Sequence, residues 1–402
     1  MNLLFIHQNA PGQFRHLIDA LVRDGGDRIV CVSARDELAI PGVGCISYPA
    51  PDGHGAAAGL MEAATARARA VAGICAGLAR NGWAPDVVVA HPGWGESLFV
   101  KDIYPRARLL HYCEFFYRAD GADAGFDPAM PLTLADRQAL RLRNAPLLMA
   151  LEAGDAGMAP SQWQKSLHPP AYQPQISVIP DGIDVDEVAP DTQARFVLPE
   201  GQILRAGDPV VTYVARALEP HRGFPSFMRA LPAIMQARPD VQVVALGTSQ
   251  PSYGPPPSEG GSWRAKLLAE LAGQPGFDRA RLHLLGTIQR PDYVRLLQVS
   301  AAHVYLTVPF VLSWSALEAM AAGVLMVASD TAPVTEVITD GRNGLLVDFF
   351  DPAKIAARVL EGLAGGTAIA AMRAAARRTA VARFRLADCV GRQRALIARL
   401  AS

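Results

Sequence analysis

A helix start in the second half of the chain combines serines with a carboxylate. The segment FVLSWSALEAMAAG, residues 310–323, follows an apolar run that is typical of a buried strand, and Ser313 or Ser315 can cap the helix. A helix N-terminus presents unpaired N–H groups and a positive dipole, which suit a phosphate. Glu318 could accept hydrogen bonds from two ribose hydroxyls. The segment predicts a nucleotide site, although simple capping and a solvated Glu318 would explain the same residues.

Other polar residues lie where predicted strands end. ARALEPHRGF places Arg216 at the end of one strand and Arg222 directly before a glycine. NAPGQF joins a strand to a helix, and Gly12 in it lets backbone approach a phosphate or a sugar closely. His91 and His111 lie on two further strands. Each residue taken alone also fits an ordinary role, as a solvated arginine, a turn glycine or a hydrogen-bonded core histidine.

Length and composition favour a large soluble enzyme. The 402 residues, half of them apolar, are enough for two or three domains. No apolar run reaches the roughly 20 residues that cross a bilayer, and the start lacks a signal-peptide pattern, so we expect a cytoplasmic protein. The five cysteines are dispersed, which favours reduced thiols over disulfides or a metal site. A net charge of zero argues against nucleic-acid binding.

Strand and helix patterns alternate along the chain and restart after Gly207. The alternation predicts two α/β domains, each with a mostly parallel sheet covered by helices. We place the domains at 1–190, with a C-terminal helix (386–402) returning to it, and at 191–385. The predicted strands are 2–8, 28–33, 86–91, 107–116, 210–216, 241–247, 281–286, 302–308, 324–329 and 344–348. The main predicted helices of the first domain are 13–26, 56–81, 132–152 and 161–167.

Two long segments interrupt the pattern. Residues 118–131 are rich in Gly, Ala, Asp and Pro, and loops of this length tend to be lids or binding surfaces. Residues 249–263 are rich in Pro, Gly and Ser, which predicts a mobile loop.

Taken together, the motifs resemble the retaining glycosyltransferases of family 4, which have the GT-B fold. The resemblance rests on the EAMAAG helix, VIPDGID at the domain junction and the Arg/Arg-Gly element, and FIHQNAPGQFRHL, HPGWGESL and YCEFF look like one N-terminal subgroup. It implies two Rossmann-like domains facing a central cleft. It also implies transfer of a hexose-type sugar from a UDP- or GDP-sugar to an acceptor hydroxyl of a glycan, lipid-linked or protein acceptor, with retention and without metal or other cofactor.

The resemblance assigns roles to the residues that match. Arg216 and Arg222 would hold the donor diphosphate, with Arg222 at a position where the family has Lys. Glu318 would bind the ribose, and Glu114 lies at or beside the position of a family histidine that faces the donor sugar. The remaining donor-binding candidates are Gly12, Gly247, Ser313, Trp314 and Ser315. The acceptor-side candidates are His91, Glu96 and His111.

One position departs from the family pattern. The family has two glutamates separated by seven residues, of which Glu318 matches the second, while the first falls on Phe310. That first glutamate normally touches the donor sugar. Either a neighbouring backbone group holds the sugar here, or the protein binds the donor without turnover.

Three alternatives remain open at this stage. A sugar-nucleotide epimerase shares the GT-B fold, because a fold does not determine function. A non-catalytic partner subunit would bind a nucleotide-sugar without transferring it. A peripheral membrane enzyme would act on a lipid-linked acceptor, with basic residues on one helix, Arg137, Arg141 and Arg143, as its contact surface.

Overall fold

The computed structural model describes residues 1–49, 57–250 and 252–402 of the chain. Its internal contacts divide the chain into two units. Unit 1 consists of Met1–Gly182 and Leu386–Ser402, and unit 2 is Ile183–Arg385. The chain passes from one unit to the other between Gly182 and Ile183, a few residues before the junction expected at 190.

Unit 1 is built on a seven-stranded parallel sheet with the strand order β3-β2-β1-β4-β5-β6-β7. Its strands are β1 Asn2–Ile6, β2 Arg28–Ser33, β3 Gly44–Ser47, β4 Val87–Ala90, β5 Arg108–Tyr112, β6 Ala156–Ala159 and β7 Ile176–Val178. Its first six helices are α1 Arg15–Asp24, α2 Ala57–Arg80, α3 Val100–Ile103, α4 Leu134–Arg143, α5 Ala145–Ala153 and α6 Gln162–Leu167.

Both faces of this sheet are buried, as an all-parallel sheet requires. Strand β1 alternates between the two faces: Leu3 and Phe5 belong to one apolar cluster, and Leu4 and Ile6 belong to another. Strand β4 divides its valines in the same way. The continuous apolar runs of the sequence therefore mark strands covered by helices on both sides.

Unit 2 repeats the architecture with a six-stranded parallel sheet, in the order β12-β11-β10-β13-β14-β15, and adds an antiparallel pair, β8-β9. Its strands are β8 Arg195–Val197, β9 Ile203–Arg205, β10 Val210–Ala217, β11 Gln242–Thr248, β12 Leu282–Gly286, β13 Ala302–Tyr305, β14 Leu325–Ser329 and β15 Leu345–Val347. Its helices are α7 Phe224–Ala237, α8 Trp263–Leu271, α9 Arg290–Val299, α10 Trp314–Ala321, α11 Ala332–Thr335, α12 Pro352–Ala364 and α13 Thr367–Phe384.

The last helix, α14 (Leu386–Ala401), belongs to unit 1 although it follows all of unit 2 in the chain. Its apolar residues Val390, Leu396 and Ile397 join the cluster of α1 and one sheet face. Gln393 Nε2 also donates a hydrogen bond to Pro180 O at 3.1 Å.

The predicted fold class, two doubly wound α/β domains, is confirmed. The helix predicted at 132–152 divides at Asn144 into α4 and α5, because Pro146 has no N–H for a continuous helix. Strands β3, β6 and β7 and the β8–β9 hairpin were not among the predicted strands. Residues 118–131 contain no helix or strand.

Two predicted segments extend beyond the described residues. The start of the 56–81 helix lies outside them, since description resumes at residue 57, and so does Pro251 in the 249–263 loop. In the described part of the chain, no single helix has the length and hydropathy to cross a bilayer. The pair α12–α13, bent by 101°, meets that test by length and composition only.

Candidate functional site

The best-defined feature of unit 2 is a buried cation at the carboxyl end of its sheet. Arg222 lies in a short 3₁₀ turn, Pro220–Arg222, that follows β10, and it is only 6% exposed. Its Nη1 donates hydrogen bonds to Thr307 Oγ1 at 2.8 Å, to Val311 O at 3.1 Å and to Tyr305 Oη at 3.3 Å. All three acceptors are uncharged. No carboxylate among the described residues lies within ion-pair distance of Arg222, although a buried charge is costly without a counter-charge.

Gly223 fixes the turn that holds Arg222. Its φ of 67° lies in the left-handed region, and a Cβ placed there would lie 2.4 Å from Leu306 Cβ. Only glycine fits both the backbone conformation and this close approach. Tyr213 Oη donates to the Arg222 carbonyl at 2.7 Å, which holds the turn against the end of β10.

Two aromatic rings lie close to the Arg222 guanidinium. Its Cζ lies 5.7 Å from the ring centroid of Tyr253 and 5.6 Å from that of Phe310. The His221 ring lies 5.0 Å from the Phe310 ring and 5.5 Å from the Tyr253 ring. Burial lowers the pKa of His221 to about 4, with a further contribution from Arg222, so the imidazole is neutral at pH 7. Phe310, the residue that departs from the family pattern, is therefore part of an aromatic cluster.

Glu219 connects this cluster to the 249–263 segment. It is fully buried, and its Oε2 accepts backbone N–H groups from Ser252 at 2.9 Å, Tyr253 at 3.2 Å and Gly254 at 3.2 Å. Its other oxygen, Oε1, has no hydrogen-bond partner among the described residues. A single carboxylate thus holds the backbone on which Tyr253 is carried.

The helix start of α10 differs in detail from the prediction. Ser313 is at the N-cap position, but its hydroxyl lies 2.7 Å from the Ser315 hydroxyl and accepts no backbone N–H of the helix. The Ser313 N–H donates to Tyr305 Oη at 2.9 Å, so it is already occupied. To bind a phosphate, the Ser313 N–H would have to exchange this hydrogen bond, and its predicted phosphate role stays a prediction. The roles of Trp314 and Ser315 remain predictions.

Glu318 is buried rather than facing water. Its Oε1 accepts a hydrogen bond from Arg290 Nη1 at 2.5 Å, and its Oε2 accepts one from Tyr293 Oη at 2.7 Å. Arg290 also pairs with Glu187 at 2.7 Å. Each carboxylate oxygen has a second lone pair, so Glu318 can still accept ribose hydroxyls. Arg290 and Tyr293 fix the direction in which it would do so.

Arg216 and Gly247 lie at the ends of the neighbouring strands β10 and β11. Arg216 is exposed, and no carboxylate within the described ranges pairs with it. Gly247 has a φ of 153°, and a Cβ there would lie 3.0 Å from Ala215 O. The structure thus gives Gly247 a packing role between strand ends, while its contact with a donor stays a prediction.

Unit 1 holds a carboxylate at the carboxyl end of β5. The side chain of Glu114 is 26% exposed. Its Oε1 accepts a hydrogen bond from Gln13 Nε2 at 2.6 Å, and its Oε2 lies 3.1 Å from His91 Nε2. Glu114 is thus oriented from two sides while part of it faces solvent.

Backbone groups determine which imidazole nitrogens carry protons. The Gly93 N–H donates to His91 Nδ1 at 3.1 Å, so His91 Nε2 carries the proton that Glu114 accepts. The Asn9 N–H donates to His7 Nδ1 at 2.9 Å, so His7 Nε2 donates to Gln13 Oε1 at 2.7 Å. The chain of donors runs from His7 through Gln13 to Glu114.

The surroundings keep Glu114 ionised and His7 neutral. Burial raises the pKa of Glu114, but the hydrogen bonds from His91 and Gln13 and the electrostatic interaction with His91 outweigh it, and the net pKa is below the ordinary carboxyl value. Burial and the nearby His91 lower the pKa of His7 to about 3. A neutral His7 can hold Gln13 in one amide orientation.

At Gly12, where a ligand was predicted to approach the backbone closely, the side chain of His7 does so. Gly12 has a φ of 49°, and a Cβ there would lie 2.5 Å from the His7 ring. The His7 ring thus occupies the space where a Gly12 side chain would lie, and contact of Gly12 with a donor stays a prediction. Gly12 is required by the packing of the Glu114 network.

Two acceptor-side candidates are buried and contact no solvent. Glu96 is 0% exposed, accepts a hydrogen bond from Tyr48 Oη at 2.7 Å and has a pKa raised by burial. His111 is 1% exposed, and burial lowers its pKa to about 4. Neither can touch an acceptor in this conformation. His91 reaches the site only through its bond to Glu114.

Several residues of these networks were missed by the sequence analysis, namely His7, Gln13, Glu219, Arg290 and Tyr293. His7 gave a usable signal, since it is a polar residue directly after β1, at the edge where ligands bind in such sheets. Glu219 gave none, because its partners lie more than 30 residues further along the chain.

The basic residues of α4 are mostly engaged within unit 1. Arg137 forms two hydrogen bonds with Asp120, at 3.0 and 2.9 Å. The guanidinium of Arg143 lies 3.9 Å from the ring centroid of Tyr117. The structure also shows no group of three potential metal ligands among the described residues.

Two family models match most of the chain. Residues 25–188 match "Glycosyl transferase family 4 group", and residues 208–364 match "Glycosyl transferases group 1". Residues 25–188 are thus similar to the family 4 glycosyltransferases, and residues 208–364 are similar to the group 1 glycosyltransferases. These matches correspond to units 1 and 2 and agree with the GT-B fold.

Curated relatives match over part of their length. The phosphatidyl-myo-inositol mannosyltransferase of Mycobacterium tuberculosis is 30% identical over 188 residues, which cover 46% of this chain and 43% of that protein. The D-inositol 3-phosphate glycosyltransferase of Nocardia farcinica is 30% identical over 185 residues, covering 44% and 37%. The chain therefore spans less than half the length of these relatives in the matched region.

A solved structure matches over the whole chain. The Anabaena protein HepE, in complex with UDP-glucose, has a TM-score of 0.68 and covers 99% of this chain and 100% of its own. At 16% identity the likeness shows the fold alone.

Proposed function

We propose that the protein is a retaining glycosyltransferase that uses a nucleoside diphosphate sugar as donor and an acceptor hydroxyl as nucleophile, without a metal. The observation that carries the proposal is Arg222, a buried cation at the carboxyl end of the unit 2 sheet whose three hydrogen-bond acceptors are uncharged. An anionic ligand supplies the missing counter-charge. The similarity to glycosyltransferase family models and the HepE complex with UDP-glucose support a nucleoside diphosphate as that ligand.

Charge grows on the diphosphate as the glycosidic bond breaks. A guanidinium that is already desolvated and fixed by three acceptors stabilises this charge without reorganising. Arg216, exposed at the end of β10, adds a second cation. Glu318, aimed by Arg290 and Tyr293, holds the ribose.

Glu114 supplies a fixed carboxylate in unit 1. Because its pKa is lowered, it remains an acceptor at pH 7 and can bind a carbohydrate hydroxyl through the lone pairs that Gln13 and His91 leave free. The protein thus contributes positioning and charge stabilisation rather than a nucleophile.

Calorimetric titration with UDP and GDP tests the phosphate site. We expect Arg222→Ala to weaken the preferred nucleotide roughly 10- to 100-fold, the effect of losing a charge-assisted hydrogen bond of about 1.5–3 kcal/mol. Arg229→Ala is the matched control, because Arg229 lies on the following helix and pairs with Glu270 at 2.6 Å. An unchanged affinity of Arg222→Ala would remove the basis of the proposal.

Product analysis tests the reaction. The names of two relatives point to inositol-containing acceptors, so phosphatidylinositol and inositol phosphates are tested first, with GDP-mannose and UDP-glucose as donors. Retention predicts a product whose anomeric configuration in NMR equals that of the donor. An isomerised free donor would point to an epimerase, and binding without any turnover would point to a partner subunit.

A further inference from the structure

The Arg222 site has one wall made of aromatic side chains. Tyr253 and Phe310 lie 5.1 Å apart, with an angle of 59° between their rings. Both centroids lie within 6 Å of the guanidinium carbon. Tyr253 is 42% exposed, so one face of this wall is open to a ligand.

A buried side chain holds the backbone that carries Tyr253. Glu219, fully buried, accepts three successive backbone N–H groups at residues 252–254 and so fixes the backbone that carries Tyr253. A buried carboxylate is costly, and one with a single oxygen satisfied is more so. Order at Tyr253 is therefore maintained against an energetic cost.

The position of the wall indicates which part of a donor it meets. This step rests on the proposed function, in which Arg222 holds the diphosphate and Glu318 holds the ribose. Arg222 bonds to Thr307 and Val311, and Phe310 lies between these two residues in the chain. Glu318 lies about one turn into α10, further along the chain. A donor held by Arg222 and Glu318 carries its sugar on the phosphate farther from the ribose, so the rings beside Arg222, including Phe310, are within reach of that sugar.

We propose that Tyr253 and Phe310 form an aromatic wall that packs against the C–H face of the transferred sugar, with Glu219 positioning Tyr253. The faces of aromatic rings are electron-rich, and the C–H bonds of a pyranose carry a small positive charge. The wall favours sugars that present several C–H bonds on one face. The wall would contact the sugar at Phe310, the position where the family pattern has a glutamate.

The experiment compares the nucleotide with its sugar conjugate. Titration calorimetry measures the Kd of UDP, GDP and their glucose or mannose conjugates for wild type, Tyr253→Ala, Tyr253→Phe and Phe310→Leu. We expect Tyr253→Ala and Phe310→Leu to weaken the nucleotide-sugar about 3- to 10-fold more than they weaken the free diphosphate. Tyr253→Phe retains the ring and is expected to behave as wild type. Phe350→Ala is the control, because Phe350 is also 42% exposed in unit 2 but lies outside the cluster.

Each result has a distinct meaning. Equal losses for diphosphate and nucleotide-sugar would overturn the wall while leaving the donor site intact, because the rings would then contact the nucleotide. No loss for either ligand would also overturn it. Failure of wild type to bind any diphosphate or nucleotide-sugar would overturn the proposed function itself, and the wall with it.

Glu219 is tested as a positioning residue by its coupling to Tyr253. Glu219→Gln loses charge on the oxygen that accepts the three N–H groups, so we expect the same selective loss for the nucleotide-sugar, at smaller size. In the double variant with Tyr253→Ala, the effect of Glu219→Gln should largely disappear, because the ring it positions is gone. Additive losses would show that Glu219 acts on general stability and would overturn its positioning role.

Discussion

At the end of β5, the ionisation of Glu114 is set by neighbours that are distant in sequence. Gln13 precedes it by 101 residues and contributes a 2.6 Å hydrogen bond. Burial raises the pKa of Glu114, and the hydrogen bond from Gln13 lowers it. Without that hydrogen bond, the effect of burial is opposed less and the pKa rises. The network therefore connects a residue near the N-terminus to the protonation state of the carboxylate.

Gln13→Leu provides a pH test of this network. Because Gln13 lowers the pKa of Glu114, its loss raises that pKa, and the acid limb of the pH–activity profile is expected to move to higher pH. Activity at neutral pH should fall roughly 10-fold, the typical effect of one lost hydrogen bond. The pH profile of sugar transfer checks both. If the activity of Gln13→Leu fell at every pH but the acid limb stayed at the same pH, Gln13 would act on packing alone.

The same carboxylate has a stability consequence with a definite sign. Its folded pKa is lowered, so the stabilisation is present above the ordinary carboxyl pKa and is lost as the pH falls through the folded value.

The residues of the site were only partly predictable from sequence. Arg222 was identified from its position before a glycine, a signal that is local in the chain. Its three neutral acceptors come from the segment 305–311, and the order of the strands determines which residues meet there. Glu96 and His111 were candidates alongside His91 because the sequence does not show which of these side chains are buried. Their burial depends on the residues that cover both faces of the sheet.

At the scale of elements, the turn between β10 and α7 determines where Arg222 points. Gly223 begins α7 in the left-handed region and contacts Leu306 so closely that a methyl group does not fit. The turn is thus fixed by sterics as well as by hydrogen bonds.

Gly223→Ala is expected to lower the Tm clearly and to weaken nucleotide binding. The backbone strain alone costs about 1–3 kcal/mol, and the clash with Leu306 adds to it. Gly286→Ala measures the backbone strain without the clash, because Gly286 has a φ of 70° but no atom within 4 Å of the added Cβ. Calorimetric unfolding measures both variants. Equal shifts in Tm would contradict a special role for the contact with Leu306.

Elements with strong periodicity were predictable, and short ones were not. The strand predicted at 28–33 is observed as Arg28–Ser33, since its apolar run is bounded by polar residues. The β8–β9 hairpin has three-residue strands, too short for a pattern of period two. The break at Asn144 follows from Pro146, which is visible in the sequence, while the two hydrogen bonds between Asn144 and Tyr117 join residues 27 positions apart.

At the scale of the whole molecule, unit 1 is discontinuous in sequence. Val390, Leu396 and Ile397 of α14 are 6%, 4% and 1% exposed and complete a cluster whose other buried members come from the first 180 positions. Unit 2 depends on no such distant segment, because it is one stretch of chain.

Ile397→Ala is expected to destabilise unit 1 selectively, by about 2–5 kcal/mol. Hydrogen exchange followed by mass spectrometry should show faster exchange in β1 and β4, with protection in β10 and β13 unchanged. Ala398→Gly serves as a control on the neighbouring helical position, with an expected cost of only about 1 kcal/mol. Faster exchange throughout both units would show that unit 2 is not stable independently of unit 1.

The position of α14 also has a consequence for biosynthesis. A ribosome completes the whole of unit 2 before it makes α14, while unit 1 still exposes the apolar face that Val390, Leu396 and Ile397 later cover. Although unit 1 is translated first, it can reach its final packing only after unit 2 has emerged. For that interval, the growing chain offers a hydrophobic surface to chaperones and to aggregation.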